Sequence, residues 1–342
     1  MQLGRKVTLS RIAEELGLST ATISLALRDS PLVAESTRDR IKIAASEMGY
    51  IYDRRAASLR TARSDIVGVM IHTVINPFFA EILRSIEEEL ALTRRTFLLC
   101  NHGDNLEKQR SFVSTLMQFG ADGVIMCPSV GTDADEIRRI EDFGLPVTLV
   151  ARTVEDAPVP CIRGDDRTGA ALAGKHLFSL GHRRIAIIGG KSQTSTGRMR
   201  LAGYRDAFEE AGISYDPALR FETEGTRKAA FDACYALLES GERPDAIAAF
   251  NDIAAFGVLA CLQHFGLTPG KDISVIGYDN LEEARITFPA LTTVDNGQDK
   301  VGGLAAQTLL QRIISGPGDR QERLIEPKLV IRSTCCSPSG SS

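Results

Sequence analysis

The sequence predicts an α/β protein: a small helical head followed by a large body of parallel β-sheet. Three observations carry this. From Ile66 onward, short β-rich runs alternate with amphipathic helical runs. That is the pattern of parallel sheets covered on both faces. The first fifty residues instead show three short helical periods and no strand pattern. The charge is also uneven. Residues 1–64 hold eleven Lys and Arg against seven Asp and Glu, a balance of +4 in a chain of net −4. A basic head on an acidic body points to nucleic acid as a partner of the head.

In the head, Thr8 can cap a first helix with Leu9, Ile12, Ala13 and Leu16 on one face, and Gly17 ends it. Ser19 can cap a second helix with Ile23, Ala26 and Leu27 inward, broken by Asp29-Ser30-Pro31. A third spans about Glu35 to Met48, with Ile41, Ala44, Ala45 and Met48 inward and Gly49 closing it. Two helices joined by a short turn containing glycine have the dimensions of a helix-turn-helix, though any three-helix bundle gives similar spacing. Residues 53–65 are basic with one large apolar residue, Leu59, so they cannot bury a face alone.

In the body, strands are expected at Ile66–His72, Phe97–Asn101, Gly123–Cys127, Val147–Val150, Ile185–Gly189, Ala246–Phe250, Ile273–Tyr278 and Thr292–Val294, with helices between most of them. This alternation fits a single barrel or two α/β lobes equally well. The end of the chain, 334–342, rich in Ser with Gly and Pro, is expected to be disordered.

Composition excludes several classes. A hydrophobic fraction of 43% supplies a large core, which excludes intrinsic disorder as the main state. No apolar run approaches the roughly 18 residues of a spanning helix, so no membrane partner is expected. Arg5 and Lys6 precede no apolar stretch, so a cytoplasmic protein is expected. Cys100, Cys127, Cys161, Cys234 and Cys261 sit among apolar residues and read as buried, while Cys335 and Cys336 are adjacent near the C-terminus. No cysteine pair has C-x-x-C spacing, and His72, His102, His176, His182 and His264 show no metal-ligand spacing. Gly189-Gly190-Lys191-Ser192 ends like a P-loop, but Ile185 stands where the first glycine belongs. No other catalytic or dinucleotide motif is present, so neither enzyme activity nor a cofactor is expected.

The head reads Val7-Thr8-Leu9, Ile12-Ala13, Leu16-Gly17-Leu18-Ser19-Thr20-Ala21-Thr22-Ile23-Ser24, Val33-Ala34, Thr37-Arg38 and Met48-Gly49-Tyr50. The body carries Asn76-Pro77-Phe78-Phe79, Asn105 to Arg110, Gly181-His182-Arg183, Arg200-Leu201-Ala202-Gly203-Tyr204, Asn251-Asp252, Ile276 to Asn280 and Pro289 to Thr293. In this order and spacing the chain resembles the LacI/GalR family of bacterial transcription regulators over about residues 6–333.

The resemblance implies a helix-turn-helix DNA-binding domain at 1–52 and a hinge helix at 53–64. It implies a two-lobed body at 65–333, like a periplasmic sugar-binding protein. Lobe one would be 65–164 and 295–324; lobe two would be 165–294 and 325–333. DNA contacts would come from Thr8, Ser19, Thr20, Ala21, Thr22, Leu25, Arg28 and Tyr50, with Arg38 as a further phosphate contact. The hinge would add Arg54, Arg55, Ala56, Ala57, Leu59 and Arg60, with Leu59 wedged into the minor groove. Leu25 and Arg28 depart from the family's usual residues, and Leu25 could face the core instead.

Asn76, Phe78, Phe79, Arg152, Thr194, Thr196, Arg200, Asn251 and Asp279 would line an effector cleft. There Asn251, Asp279 and Arg200 suit the paired donors and acceptors of a sugar. Asn251-Asp252 could equally cap a helix, and Asp279-Asn280 form a turn. Gly225 and Thr226 stand where relatives often carry an aromatic. The implied partners are double-stranded operator DNA, a small sugar-like effector and a second copy of the chain. The implied role is repression of a carbohydrate operon; the alternatives are a corepressor-dependent regulator sensing a non-sugar ligand such as a nucleobase, and a transporter solute-binding protein.

Overall fold

The computed structural model describes residues 7–50, 64–318 and 320–338. The chain divides into two compact units, 1–64 and 65–342. In the first, α1 (Leu9–Leu16), α2 (Thr20–Leu27) and α3 (Glu35–Glu47) enclose a core of Ile12, Ala13, Ile23, Ala26, Val33, Ile41 and Ala45. The Thr8 hydroxyl accepts the Arg11 N–H at the start of α1, and Ser19 accepts the Thr22 N–H at the start of α2. Between them Gly17 turns the chain at φ +64°, a conformation that costs a side-chain-bearing residue more. Arg54, Arg55, Ala56, Ala57, Leu59 and Arg60 lie outside the described residues.

The second unit holds two open parallel sheets, which settles the choice between barrel and lobes. Five strands of the first are β1 (Ile66–Ile71), β2 (Thr96–Asn101), β3 (Gly123–Met126), β4 (Val147–Val150) and β5 (Cys161–Gly164). The chain then forms the second sheet from β6 (Ile185–Ile188), β7 (Arg220–Phe221), β8 (Ala246–Ala249) and β9 (Ser274–Ile276). It returns through β10 (Thr293–Asp295), contributes β11 (Glu322–Ile325) to the first sheet, and leaves again through β12 (Lys328–Val330). The strand orders are β11-β5-β4-β3-β1-β2 and β7-β6-β8-β9, with β10 and β12 paired antiparallel. Central strands such as Ile185–Ile188 and Ala246–Ala249 are buried throughout, as continuous apolar runs in parallel sheets should be.

The helices of lobe one are α4 (Pro77–Leu92), α5 (Leu106–Gln118), α6 (Ala134–Asp142) and, later in the chain, α12 (Gln298–Ser315). Those of lobe two are α7 (Asp166–Ser179), α8 (Ser195–Glu210), α9 (Arg227–Glu239), α10 (Asp252–His264) and the short α11 (Glu282–Ile286). Ile82, Ile86 and Leu90 of α4 share one core with Val301, Ala305 and Leu309 of α12. Gly302 permits that approach, since a Cβ there would lie 2.3 Å from the Ile82 carbonyl. No helix among the described residues is long and apolar enough to cross a membrane.

The structure departs from the sequence expectation in the short elements. β5, β7, β11, β12 and α11 carry too few residues, or too much charge, for periodicity to register. Glu322 and Arg323 make β11 a polar edge strand. Ile325 still pairs in the first sheet, so the last crossing follows it rather than preceding it. The expectation of disorder over 334–342 is corrected at its start. Thr334 is fully buried, its carbonyl accepts the Val275 N–H, and the Cys336 N–H donates to Ser274 Oγ. Hydrogen bonding along β9 orders this segment, which its composition does not reveal.

Candidate functional site

A cavity of about 600 Å³ opens between the two lobes. It lies at the C-terminal ends of the strands, where open α/β sheets expose loop backbone and helix N-termini. All nine body residues singled out from sequence line it: Asn76, Phe78, Phe79 and Arg152 from lobe one, and Thr194, Thr196, Arg200, Asn251 and Asp279 from lobe two. Phe78 and Phe79 meet edge to face and form the apolar wall.

Three of these residues are also helix caps. Asn76 Oδ1 accepts the Phe78 N–H, Thr194 Oγ1 the Gly197 N–H, and Asn251 Oδ1 the Ala254 N–H. The start of α9, capped by Thr226, lines the same space. Four helix N-termini therefore face one cavity and favour electron-rich ligand atoms there. Capping consumes the Asn251 carbonyl oxygen and leaves Nδ2, which donates to the Gly225 carbonyl at 3.3 Å.

Arg200 is buried at the floor. Its Nε donates to Asp166 at 2.8 Å, its Nη2 lies 3.5 Å from Asp279, and Nη1 donates to the Phe250 carbonyl. Its plane covers the Tyr278 ring at 3.6 Å. Burial pushes the Asp279 carboxyl well above its ordinary range, and the Arg200 charge only partly offsets this. Asp279 sits at φ +105° and is followed by Asn280 at φ +51°, so the chain bends where Asp279 lines the cavity. Asp166 is also 3.8 Å from Arg163, which pairs with Glu322 at 2.6 Å. A chain of alternating charge thus runs from the first crossing between lobes to the cavity floor.

The opposite wall holds residues that sequence reasoning missed. Asp104 receives Arg152 through both guanidinium nitrogens, at 2.5 and 3.3 Å, and its Oδ2 lies 3.2 Å from His72 Nδ1. Burial alone would raise the Asp104 carboxyl, but His72 and Arg152 together hold it well below the usual carboxylate range. His102 Nδ1 accepts the Asp104 N–H and its Nε2 bonds the Cys127 carbonyl, so the ring is neutral with its proton on Nε2. The ligand atoms of His72, His102 and Asp104 lie within 4.8 Å of one another. Within this group the Asp104 carboxylate is already paired with Arg152. These residues follow three different strands, so no local spacing signals them.

Burial lowers the His102 pKa from 6.5 to about 4. The stability gained by keeping it neutral is present above 6.5 and lost as pH falls toward about 4. Thermal melts over this window are expected to show a smaller acid-induced loss for His102→Gln than for the parent chain.

In the head, Thr20 and Ala21 are exposed at the start of α2, beside Ser19, and Thr22 is half-buried. Arg28 is exposed and its Nε bonds the Ser24 carbonyl, whereas Arg38 donates to the Ser30 carbonyl inside the head. Thr8 is exposed. Tyr50 and Leu25 are half-buried and pack against the head core, so Leu25 is not a free side chain on the outer face.

Comparison with known proteins matches residues 8–53 to the family described as bacterial regulatory proteins, lacI family. Residues 64–334 match periplasmic binding proteins and sugar binding domain of LacI family. The chain belongs to the LacI family. This LacI-family regulator is 31% identical to the HTH-type transcriptional repressor PurR of Photobacterium profundum, over 96% of this chain and 98% of that protein. It is 32% identical to the PurR repressor of Vibrio atlanticus, with the same coverage. Among solved structures it resembles the lac repressor dimer bound to operator and the anti-inducer ONPF, with a TM-score of 0.86 at 26% identity, covering 97% of this chain and all of that one. A LacI family regulator from Enterococcus faecium with bound ribose gives 0.72 at 27% identity, covering 80% and 99%. As a LacI-family protein the chain is a DNA-binding transcription regulator.

Proposed function

We propose that the protein is a homodimeric repressor whose paired heads hold a pseudo-palindromic operator, and that a small carbohydrate bound in the cleft releases it. The PurR relatives and the lac repressor are named as repressors, and the site is read as binding without turnover, in a protein that works on DNA in the cytoplasm. The N-terminal end of α2 enters the major groove. Thr20 and Ala21 reach base edges, while Thr8, Ser19, Thr22, Arg28 and Tyr50 engage the backbone. The half-buried Leu25 then contributes packing and at most an apolar contact to a thymine methyl.

The observation that carries the sugar reading is the cavity wall. Arg200 with Asp279 and the Asn251 amide supply paired donors and acceptors opposite Phe78 and Phe79. Hydroxyls both donate and accept, and the apolar ring face of a sugar suits an aromatic wall. Ribose in the Enterococcus faecium structure and cellobiose in the CelR complex occupy proteins of this fold. A corepressor reading, with a nucleobase as effector, is favoured by the PurR names of the curated relatives.

The test couples two measurements on the full chain. An operator is first selected from random duplex DNA. Its affinity is then followed by fluorescence anisotropy with ribose, galactose, cellobiose, hypoxanthine and guanine, alongside thermal shift. A ligand at about 100 times its dissociation constant stabilises by about 2.7 kcal/mol, which a melt resolves. A sugar that raises the melting temperature and weakens operator binding is the expected result. A purine that strengthens operator binding overturns it.

A further inference from the structure

We propose that His72 is a specificity-determining contact of the cleft, presenting a hydrogen-bond acceptor to a hydroxyl or N–H donor of the effector. The inference rests on the reading of this cavity as the effector site. It begins with a chain of fixed groups on lobe one. The His102 ring, bonded at both nitrogens, holds the Asp104 backbone N–H. Arg152 grips the Asp104 carboxylate and also donates to the Pro128 carbonyl at 3.3 Å, so the carboxylate has one orientation. That carboxylate lies 3.2 Å from His72 Nδ1, a buried atom that has no other partner among the described residues.

An ionised carboxylate only accepts, so in a neutral His72 the N–H turned toward Asp104 leaves Nε2 with a lone pair. His72 lines the cavity and retains a quarter of its side-chain surface, and the Phe79 ring stands 6.2 Å away. Nε2 is therefore an acceptor of set direction beside an aromatic wall. The network fixes this polarity before any ligand arrives, which is how a site discriminates against molecules lacking the donor. Lobe two lines the same cavity with the donors Arg200 and Asn251 and the carboxyls Asp279, Glu224 and Glu283. His72 adds an acceptor on the lobe-one face.

The experiment uses the full chain and calorimetric titration with ribose, galactose, cellobiose and hypoxanthine. His72→Phe keeps a ring of similar size but removes the acceptor. Asp104→Asn lets the imidazole turn over. Asn251→Ser keeps the α10 cap and removes the amide donor on the other lobe. The unliganded melting temperature of each variant shows that the fold is retained. The expected result is a loss of about tenfold to a hundredfold in affinity for His72→Phe, a smaller loss for Asp104→Asn, and no such loss toward the deoxy form of the binding sugar that lacks the paired hydroxyl. Parental affinity in His72→Phe with loss in Asn251→Ser overturns the role of His72 and leaves the cavity reading standing. Parental affinity in both variants, or no binding of any of the four probes, overturns the cavity reading and the inference with it.

Discussion

Ile23→Ala is expected to abolish operator binding while leaving ligand binding by the body intact. Ile23 is fully buried in α2 and packs with Ile12 and Ile41 in a core of seven buried side chains among the described residues. Truncating a buried isoleucine to alanine costs roughly 2–5 kcal/mol. A domain of this size holds roughly 0.05–0.15 kcal/mol per residue, a total of similar magnitude. The variant therefore spends most of its time with the head unfolded, and Thr20 and Ala21 lose their placement. The body has its own cores and forms a separate compact unit. Operator affinity by anisotropy should fall at least a hundredfold, with an unchanged thermal shift from ligand. Retention of operator affinity in this variant would contradict the helix-turn-helix assignment.

Arg200→Met should be the most damaging single change in the body. Arg200 neutralises Asp166, which is fully enclosed, and lies beside Asp279, also buried. Removing the guanidinium strands both carboxyls and leaves the Phe250 carbonyl without its donor. Breaking a buried pair from one side costs about 3–5 kcal/mol, because the remaining charge stays desolvated. Urea unfolding should show a loss of that order, and the cleft should lose its ligand. Adding Asp166→Leu to Arg200→Met should recover part of the stability without recovering binding. An unfolding midpoint equal to the parent's would mean that Asp166 is already neutral in the native state. Burial pushes its carboxyl upward from the ordinary value, while Arg200 and Arg163 pull it down.

The parts of the fold legible in the sequence are those where one residue type has one physical use. Ile185–Ile188 is buried throughout and reads as a strand because the run is short, rich in β-branched isoleucine and ended by Gly189-Gly190. Thr8, Ser19 and Gly17 mark helix ends by the same local chemistry that the structure shows. Legibility stops where a residue serves two purposes or depends on distant chain. Asn76, Thr194 and Asn251 read from family resemblance as ligand contacts, and each line the cavity while spending an oxygen on a helix end. His72, Asp104 and Arg152 follow three strands that only the sheet brings together. Arg163 meets Glu322 across 159 positions, a pairing that no periodicity encodes. The order of Thr334 depends on a free edge at β9.

The return of the chain to its first lobe has a consequence for how the protein is made. Domains generally fold as units while the ribosome extends the chain at roughly 5–20 residues per second. The three head helices are all in place by Glu47 and can fold early. Lobe one cannot, because Val301, Ala305 and Leu309 of α12 fill the core that β1 began, and β11 completes the sheet. Lobe two waits longer still for Thr334 and Cys335. A nascent chain that has reached residue 290 therefore carries the three head helices and two unfinished lobes. The messenger is nearly fully translated before any sensor exists to govern that head.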